Sequence, residues 1–349
     1  MLNCSNRLKR VAVLSQLAVL VAASTLCLSP GAVQAEPIRK DQVDLGQKLD
    51  VPILHWTDQA VPTKAIIFAI HGVTLYANRF DYIANQLAKE GYQVYAIDLR
   101  GYGRWRTEKE KFSGDGKIHY TEAQKDLVSV LKAVKSAHSD LPVYLMGESL
   151  GANMAVWVAS NNPELADGMI LSSPCIKRIV HITPRVFIDA PRGFVRPYHE
   201  LSLRPHIEPY LSEDPRVTKQ YLEDPSIYKN LSPADLIKSV KTNALSLKQT
   251  AKIPEDMPVL IIAGKHDKIY SAKAIPKFVK SLPCKDKQVH ILEDKGHLLI
   301  EHAFVSPDVM AHIDGWLVER DNKRAMHTYK QKNHQKENEA QLSQPTHDP

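Results

Sequence analysis

Ser149, set in the run Gly147-Glu148-Ser149-Leu150-Gly151, has the clearest chemical potential in the sequence. A short apolar run, 143–146, precedes it, and a segment with helical character, 150–160, follows. A Gly-x-Ser-x-Gly between a strand and a helix is the nucleophile-elbow pattern, a turn so tight that the serine is strained and larger flanking residues would clash. The strain lifts the hydroxyl clear of the strand ends. A hydroxyl so placed becomes a nucleophile when a base takes its proton and an acid orients the base. The five residues alone would also fit a glycine-bearing turn with a surface serine, so the base and acid must be sought.

Downstream, the apolar run 259–263 ends in Gly264-Lys265-His266-Asp267, and a strand-like run, 288–292, ends in a loop carrying Gly296-His297. Asp267 and His297 therefore follow the carboxyl ends of successive strands. Parallel strands deliver such loops to one sheet edge, where Ser149 also emerges. The chain order of serine, acid and histidine suits the pattern. Of the fifteen histidines, His290 alternates within a strand and reads as structural, His302 and His312 read as helix-surface residues, and His266 lies on the acid's own loop. Asp294 and Glu293 are the alternative acids. Asp98 precedes the nucleophile and reads as an anchor for the turn Arg100-Gly101-Tyr102-Gly103. An oxyanion formed at a carbonyl carbon needs two donors. The backbone N–H of Leu150, at a helix amino end, supplies one. The N–H of Val73, in the loop His71-Gly72-Val73 after the strand 65–70, is expected to supply the other, with His71 packed beneath.

The elements that must position these residues alternate between strand and helix. An amphipathic helix covers 78–89, a strand 93–97, a helix 120–137, and a strand begins at Gly168. Such alternation predicts an α/β fold with a mostly parallel sheet flanked by helices. From 175 to 256 it stops, prolines are frequent, and short amphipathic pieces replace strands, which predicts a helical cap inserted between core segments 36–174 and 257–320. The polar stretch 321–349 has too little apolar surface to offset ordering entropy and is expected to be disordered.

Taken together, these motifs resemble the α/β-hydrolases of the monoacylglycerol lipase and lysophospholipase group, which overlaps the serine aminopeptidase-like hydrolases. The resemblance spans about 64–317. It rests on His71-Gly72, Phe80-Asp81-Tyr82, Asp98-Leu99-Arg100-Gly101-Tyr102-Gly103, the Gly-Glu-Ser-Leu-Gly elbow, and the Asp267 and Gly296-His297 motifs. In the cap, Leu211-Ser212-Glu213-Asp214-Pro215 and Glu223-Asp224-Pro225 are similar to that group's paired Asp-Pro pattern. It implies an α/β-hydrolase fold with the triad Ser149, Asp267 and His297, a carboxylic-ester substrate of acyl-lipid or lysolipid type, and neither metal nor organic cofactor. Relatives often differ at Glu148 and Ala152, and many carry serine where Arg104-Trp105 stand, which leaves substrate identity open. Alternatives on the same scaffold are a peptidase removing N-terminal residues, an acyltransferase, and a non-catalytic lipid-binding protein.

The chain ends set the compartment. Arg7, Lys9 and Arg10 precede a mostly apolar stretch, 11–28, and Val33-Gln34-Ala35 place small residues before Glu36. Residues 1–35 thus read as a signal peptide for periplasmic or secreted protein, with an uncleaved membrane anchor as the alternative. The net charge falls from +6 to +3 when the leader's three cations leave, which gives no basis for a nucleic-acid partner. Cys4 and Cys27 lie in the leader. Cys175 and Cys284 remain, their pairing open, and no Cys/His metal spacing is present. The first half of the cap is basic, with Lys177, Arg178, Arg185, Arg192, Arg196 and Arg204 interleaved with apolar side chains. Contact with anionic membrane lipid is one reading and an ordinary solvated surface the other.

Overall fold

The computed structural model describes residues 38–40, 44–179, 181, 191 and 193–342. The expected leader 1–35 and the cap arginines Arg185 and Arg192 lie outside the described residues. The strands are β1 (Ile38–Lys40), β2 (Ile53–Thr57), β3 (Ala65–Ile70), β4 (Tyr92–Ile97), β5 (Val143–Glu148), β6 (Gly168–Ser172), β7 (Leu201–Ser202), β8 (Asn230–Leu231), β9 (Val259–Gly264) and β10 (Lys287–Leu292). The helices are α1 (Asp44–Leu49), α2 (Asp81–Lys89), α3 (Arg104–Thr107), α4 (Tyr120–Ala137), α5 (Leu150–Asn161), α6 (Arg204–Ile207), α7 (Pro215–Glu223), α8 (Pro233–Leu247), α9 (Ile275–Ser281) and α10 (Pro307–Leu342).

Eight strands form the main sheet in the order β1-β2-β4-β3-β5-β6-β9-β10. From β4 to β10 every neighbouring pair is parallel, and β1 and β2 add an antiparallel edge. The sheet is therefore mostly parallel and helix-flanked, as the alternation implies. β3 is buried along its whole length, so it reads as a continuous apolar run rather than an alternating one. Its alternate residues still divide between two cores. Ile66, Phe68 and Ile70 face the cluster that holds Leu127 and Leu131 of α4 and Val156 of α5. Ile67 and Ala69 face Ile83 and Leu87 of α2 and Ile313 and Trp316 of α10.

Between β6 and β9 the described chain adds no strand to the main sheet. It contains α6, α7 and α8 and the antiparallel ribbon of β7 with β8. Asp214 caps α7 by accepting the Arg216 N–H, and Ser232 caps α8 by accepting the Asp235 N–H. Asp214 of the first Asp-Pro pair is thus a helix start. The second, Asp224, accepts the Tyr76 hydroxyl (2.9 Å) and Arg79 (3.2 Å), and so ties the cap to the segment after β3.

The polar stretch expected to be disordered from 321 instead continues α10 to Leu342. Asp321 accepts the Tyr92 hydroxyl at 2.6 Å, and Arg324 donates to the carbonyls of Lys64 and Asp140. Lys323 pairs with Glu319 one turn earlier and with Asp286. Low hydrophobicity leaves this stretch little to bury, but Lys, Glu and Gln propagate a helix well once its first turns are docked.

Candidate active site

Ser149 alone makes the turn between β5 and α5, with φ 55° and ψ −119°, a left-handed conformation that costs energy for any residue with a Cβ. The glycines on either side are required by close approach. A Cβ on Gly147 would meet the Gly151 backbone at 2.3 Å, and one on Gly151 would meet the Ile70 carbonyl oxygen at 1.8 Å.

The three residues singled out in sequence come together. Ser149 Oγ lies 2.9 Å from His297 Nε2, and His297 Nδ1 lies 2.7 Å from Asp267 Oδ2. The other Asp267 oxygen accepts the N–H groups of Ile269 (2.7 Å) and Tyr270 (2.8 Å), which fixes the carboxylate's orientation. All three side chains are buried. Burial disfavours the His297 imidazolium, but the charge and hydrogen bond of Asp267 outweigh it, and the net pKa lies above the ordinary histidine value. The alternative acids are elsewhere: Asp294 pairs with Lys295 and Glu293 with Lys265, both at the surface.

Leu150 opens α5, so its N–H has no acceptor within the helix. In the loop after β3, His71 Nε2 accepts the Leu99 N–H (2.9 Å) and its Nδ1–H donates to the Gly72 carbonyl (2.8 Å). Burial lowers the His71 pKa, and both ring nitrogens are engaged, so His71 holds the loop. The Gly72 N–H donates to Glu301. The next amide, Val73 N–H, has no acceptor among the described residues.

Other histidines and Trp105 also find their places. His302, expected on a helix surface, is buried in the loop between β10 and α10. There its ring caps the Leu298 carbonyl and the Phe304 N–H, and burial pushes its pKa down to about 4. His290 stacks on His312 of α10 with ring centroids 3.8 Å apart. Asp98 accepts the N–H groups of Ala77 and Arg104, the anchoring role read from sequence. Trp105 is buried and its Nε1–H donates to the Asp98 carbonyl, so it supports that turn.

The sequence alone assigns no role to Glu148, Glu301 or Tyr270, and of Cys175 it leaves open only a pairing with Cys284. The Cys175 Sγ is 3.3 Å from Ser149 Oγ. Asn153 holds its backbone, accepting the Cys175 N–H at 2.9 Å and donating to its carbonyl at 3.3 Å. Burial pushes the Cys175 thiol up to about 12, so it stays protonated beside the serine. Cys175 and Cys284 are both free thiols. Glu148 could have been noticed as a charge inside an otherwise apolar run. Glu301 has no local signal, because its partner is 229 residues away. Among the described residues, no group of three or more His, Cys, Asp and Glu side chains could hold a metal ion.

A family model described as serine aminopeptidase, S33, matches residues 61–302, from just before β3 into the loop that carries His297. A monoglyceride lipase homolog of monkeypox virus is 28% identical over 274 residues, covering 76% of this chain and 93% of its own. Monoglyceride lipase of Rattus norvegicus is 27% identical over 270 residues, covering 76% and 86%. Among solved structures, the monoacylglycerol lipase of Paleococcus ferrophilus aligns with a TM-score of 0.61 at 23% identity, over 77% of this chain and 98% of that one. The family match takes in Ser149, Asp267 and His297 together with the cap, and the chain belongs to the serine aminopeptidase S33 family of α/β-hydrolases.

Proposed function

We propose that the protein is a carboxylic ester hydrolase acting on monoacyl lipids, with Ser149 as nucleophile, His297 as base and Asp267 as its orienting acid. The observation that carries this reading is the relay from Ser149 Oγ through His297 to Asp267, at 2.9 and 2.7 Å. Relatives named monoglyceride lipase, aligned over 76% of the chain, support the substrate class.

In this mechanism Ser149 Oγ attacks the acyl carbonyl carbon while His297 Nε2 takes its proton. Asp267 keeps Nδ1 protonated and stabilises the imidazolium. The N–H groups of Val73 and Leu150 receive the oxyanion. The tetrahedral intermediate collapses as His297 gives its proton to the departing alcohol. Water, deprotonated by His297, then adds to the acyl-enzyme, and fatty acid leaves with Ser149 restored. No step draws on a cofactor.

Labelling with a fluorophosphonate, then turnover of monoglycerides, lysophospholipids, p-nitrophenyl esters and aminoacyl amides, tests the assignment. Ester turnover and labelling that both vanish in Ser149→Ala support it. Turnover confined to aminoacyl amides would move the substrate to peptides, and labelling without any turnover to an acyltransferase or silent scaffold.

Phe194, Val195 and Tyr198 are 90%, 76% and 80% exposed, next to Arg196, and suit a cap that rests on anionic lipid. The amino-terminal pattern suits export, with mature protein beginning near Glu36. N-terminal sequencing of the exported protein checks this, and retention of 11–28 on membrane-bound protein would favour an anchor. Among the described residues, no helix is long and apolar enough to cross a membrane.

A further inference from the structure

Glu148 and Glu301 are fully buried beside the site, yet neither belongs to the proton relay. Glu148 directly precedes the nucleophile. It accepts the N–H groups of Leu299 (2.7 Å), Ile300 (3.2 Å) and Glu301 (3.1 Å), and the Ser172 hydroxyl (2.7 Å). Those three consecutive amides form the turn just after His297. Glu301, at the end of the turn, accepts the Gly72 N–H on its two oxygens at 3.1 and 2.9 Å. Gly72 precedes Val73 in the loop after β3. A Cβ on Gly72 would come within 3.0 Å of Glu301 Oε2, so the two segments meet at a closeness that suits glycine. Arg79 adds a further tie by donating to the Glu301 carbonyl at 3.3 Å. One carboxyl therefore joins the elbow to the histidine loop, and the other joins the histidine loop to the oxyanion loop.

We propose that Glu148 and Glu301 are positioning residues, which together hold the histidine loop and the oxyanion loop in register with Ser149, Glu148 as a carboxylate and Glu301 as the protonated acid. The inference rests on the assignment of Ser149 and of the Val73 N–H given above. Donor and acceptor counting places the proton. The Glu148 oxygens meet donors on every side, the environment of a carboxylate. The Glu301 side chain meets one N–H, and a second bare charge there would be buried with only Arg79, already paired with Asp224, to offset it. Burial and the neighbouring charge of Glu148 hold the Glu301 carboxyl well above the usual range. Burial raises Glu148 too, while the Ser172 hydroxyl and the Leu299 amide work against it. The charged or titratable groups facing the pair are Arg79, from the segment before α2, and His297. Arg79 is already engaged by Asp224. His71 and His302, next to Gly72 and Glu301 in sequence, have their pKa values lowered by burial. Glu301 holds the peptide before Gly72 through its N–H, and the His71 Nδ1–H holds the peptide after it, the one that carries the Val73 N–H, through the Gly72 carbonyl at 2.8 Å, so the oxyanion loop is pinned on both sides of the glycine.

The experiment uses the full chain and a soluble p-nitrophenyl ester. Glu301→Ala should lower kcat on the order of 10²-fold, the loss that follows removal of an oxyanion donor, while KM stays near the parent value. Glu301→Gln should recover most of that loss, because its amide oxygen accepts the Gly72 N–H and its NH₂ takes the place of the acid O–H. Glu148→Gln should stay impaired, because it presents donors to donors. Stability against pH reads the proton directly. The unfolded chain releases the Glu301 proton in the ordinary carboxyl range and the folded protein keeps it. Parent stability therefore falls as pH rises above that range, until the folded group itself ionises. Glu301→Gln lacks this slope, so its stability relative to the parent should climb between about pH 5 and the pH at which the folded acid ionises. A parent-like kcat in Glu301→Ala would overturn the proposal. So would a Glu301→Gln variant no better than Glu301→Ala, or a stability difference that stays flat with pH. If Glu301→Ala fails to fold, the contrast between the two Gln variants and the pH slope still decides. Ester turnover surviving in Ser149→Ala would overturn the nucleophile assignment itself, a separate outcome.

Discussion

Around Ser149, buried polar atoms are matched by donors from loops far apart in sequence: the elbow, the loop after β3, and the loops after β9 and β10. In the cap the balance is reversed. Ile237, Val240 and Leu245 of α8 are 68%, 45% and 46% exposed, and much of what joins α7 to the core is one small apolar cluster and the ties through Asp224 and Tyr221. The core region is over-determined, so a strained serine persists there. The outward side chains of α8 can change without disturbing the relay, although α8 itself packs on α5, where Asn153 donates to the Asn243 carbonyl at 3.4 Å.

The largest expected effect lies in the core. Ser149→Ala and His297→Ala should each reduce ester kcat by about 10⁴-fold or more, with thermal unfolding little changed, and the double variant should lose little beyond either alone. Losses that multiply would show the two acting independently. Next comes Asp267→Asn, expected to lower kcat by roughly 10³- to 10⁴-fold. Asp267 raises the pKa of His297, so its removal lets the imidazole lose its proton at lower pH. The acid limb of kcat/KM should then move down in pH, which a pH profile of the residual activity reads.

The attachment of the cap gives a smaller effect. Asp224→Ala leaves Arg79, 7% exposed, without its carboxylate and frees the Tyr76 hydroxyl. Loss of one partner from a mostly buried pair costs about 3 kcal/mol. Denaturant unfolding should show that loss, while kcat on a small soluble ester falls far less than in the triad variants. A loss equal to theirs would mean that the cap is part of the core's rigidity.

What could be read from sequence follows the same division. The elbow glycines, Asp267 and His297 were legible because the backbone itself imposes their types and spacing: close approach at Gly147 and Gly151, and loops at the ends of apolar strands. The inner parallel strands were legible as buried runs. The short antiparallel edge of β1 and β2 was not, because three and five residues make too little pattern. Glu148 shows in the sequence only as a charge in an apolar run, and Glu301 not at all, because their partners lie 151 and 229 residues away. His302 was misread because a loop that folds under itself has no period. The length of α10 was missed because disorder was inferred from the absence of apolar residues, while the ties of Asp321 and Arg324 depend on the positions of Tyr92, Lys64 and Asp140.

The smallest expected effect on chemistry, and the sharpest on place, concerns the cap surface. Phe194, Val195 and Tyr198 project beside Arg196, an apolar group edged by positive charge. Replacing Phe194 and Val195 with Ser and Arg196 with Gln should leave turnover of a small soluble ester near the parent value, because none of these residues touches the relay. On vesicles or micelles carrying anionic lipid, turnover should drop. The drop should have two parts. The arginine's share is Coulombic and is erased as salt rises, since the screening length shrinks to about 8 Å near physiological ionic strength. The aromatic and aliphatic share comes from burying apolar surface and persists in salt. Measuring Arg196→Gln and the Phe194/Val195 pair separately, on neutral and anionic lipid across a salt series, separates the two. Equal losses on soluble and interfacial substrates would assign these side chains to holding the cap together, and would remove the contrast between a rigid core and a permissive cap. Unchanged turnover on every substrate would assign them to solvent.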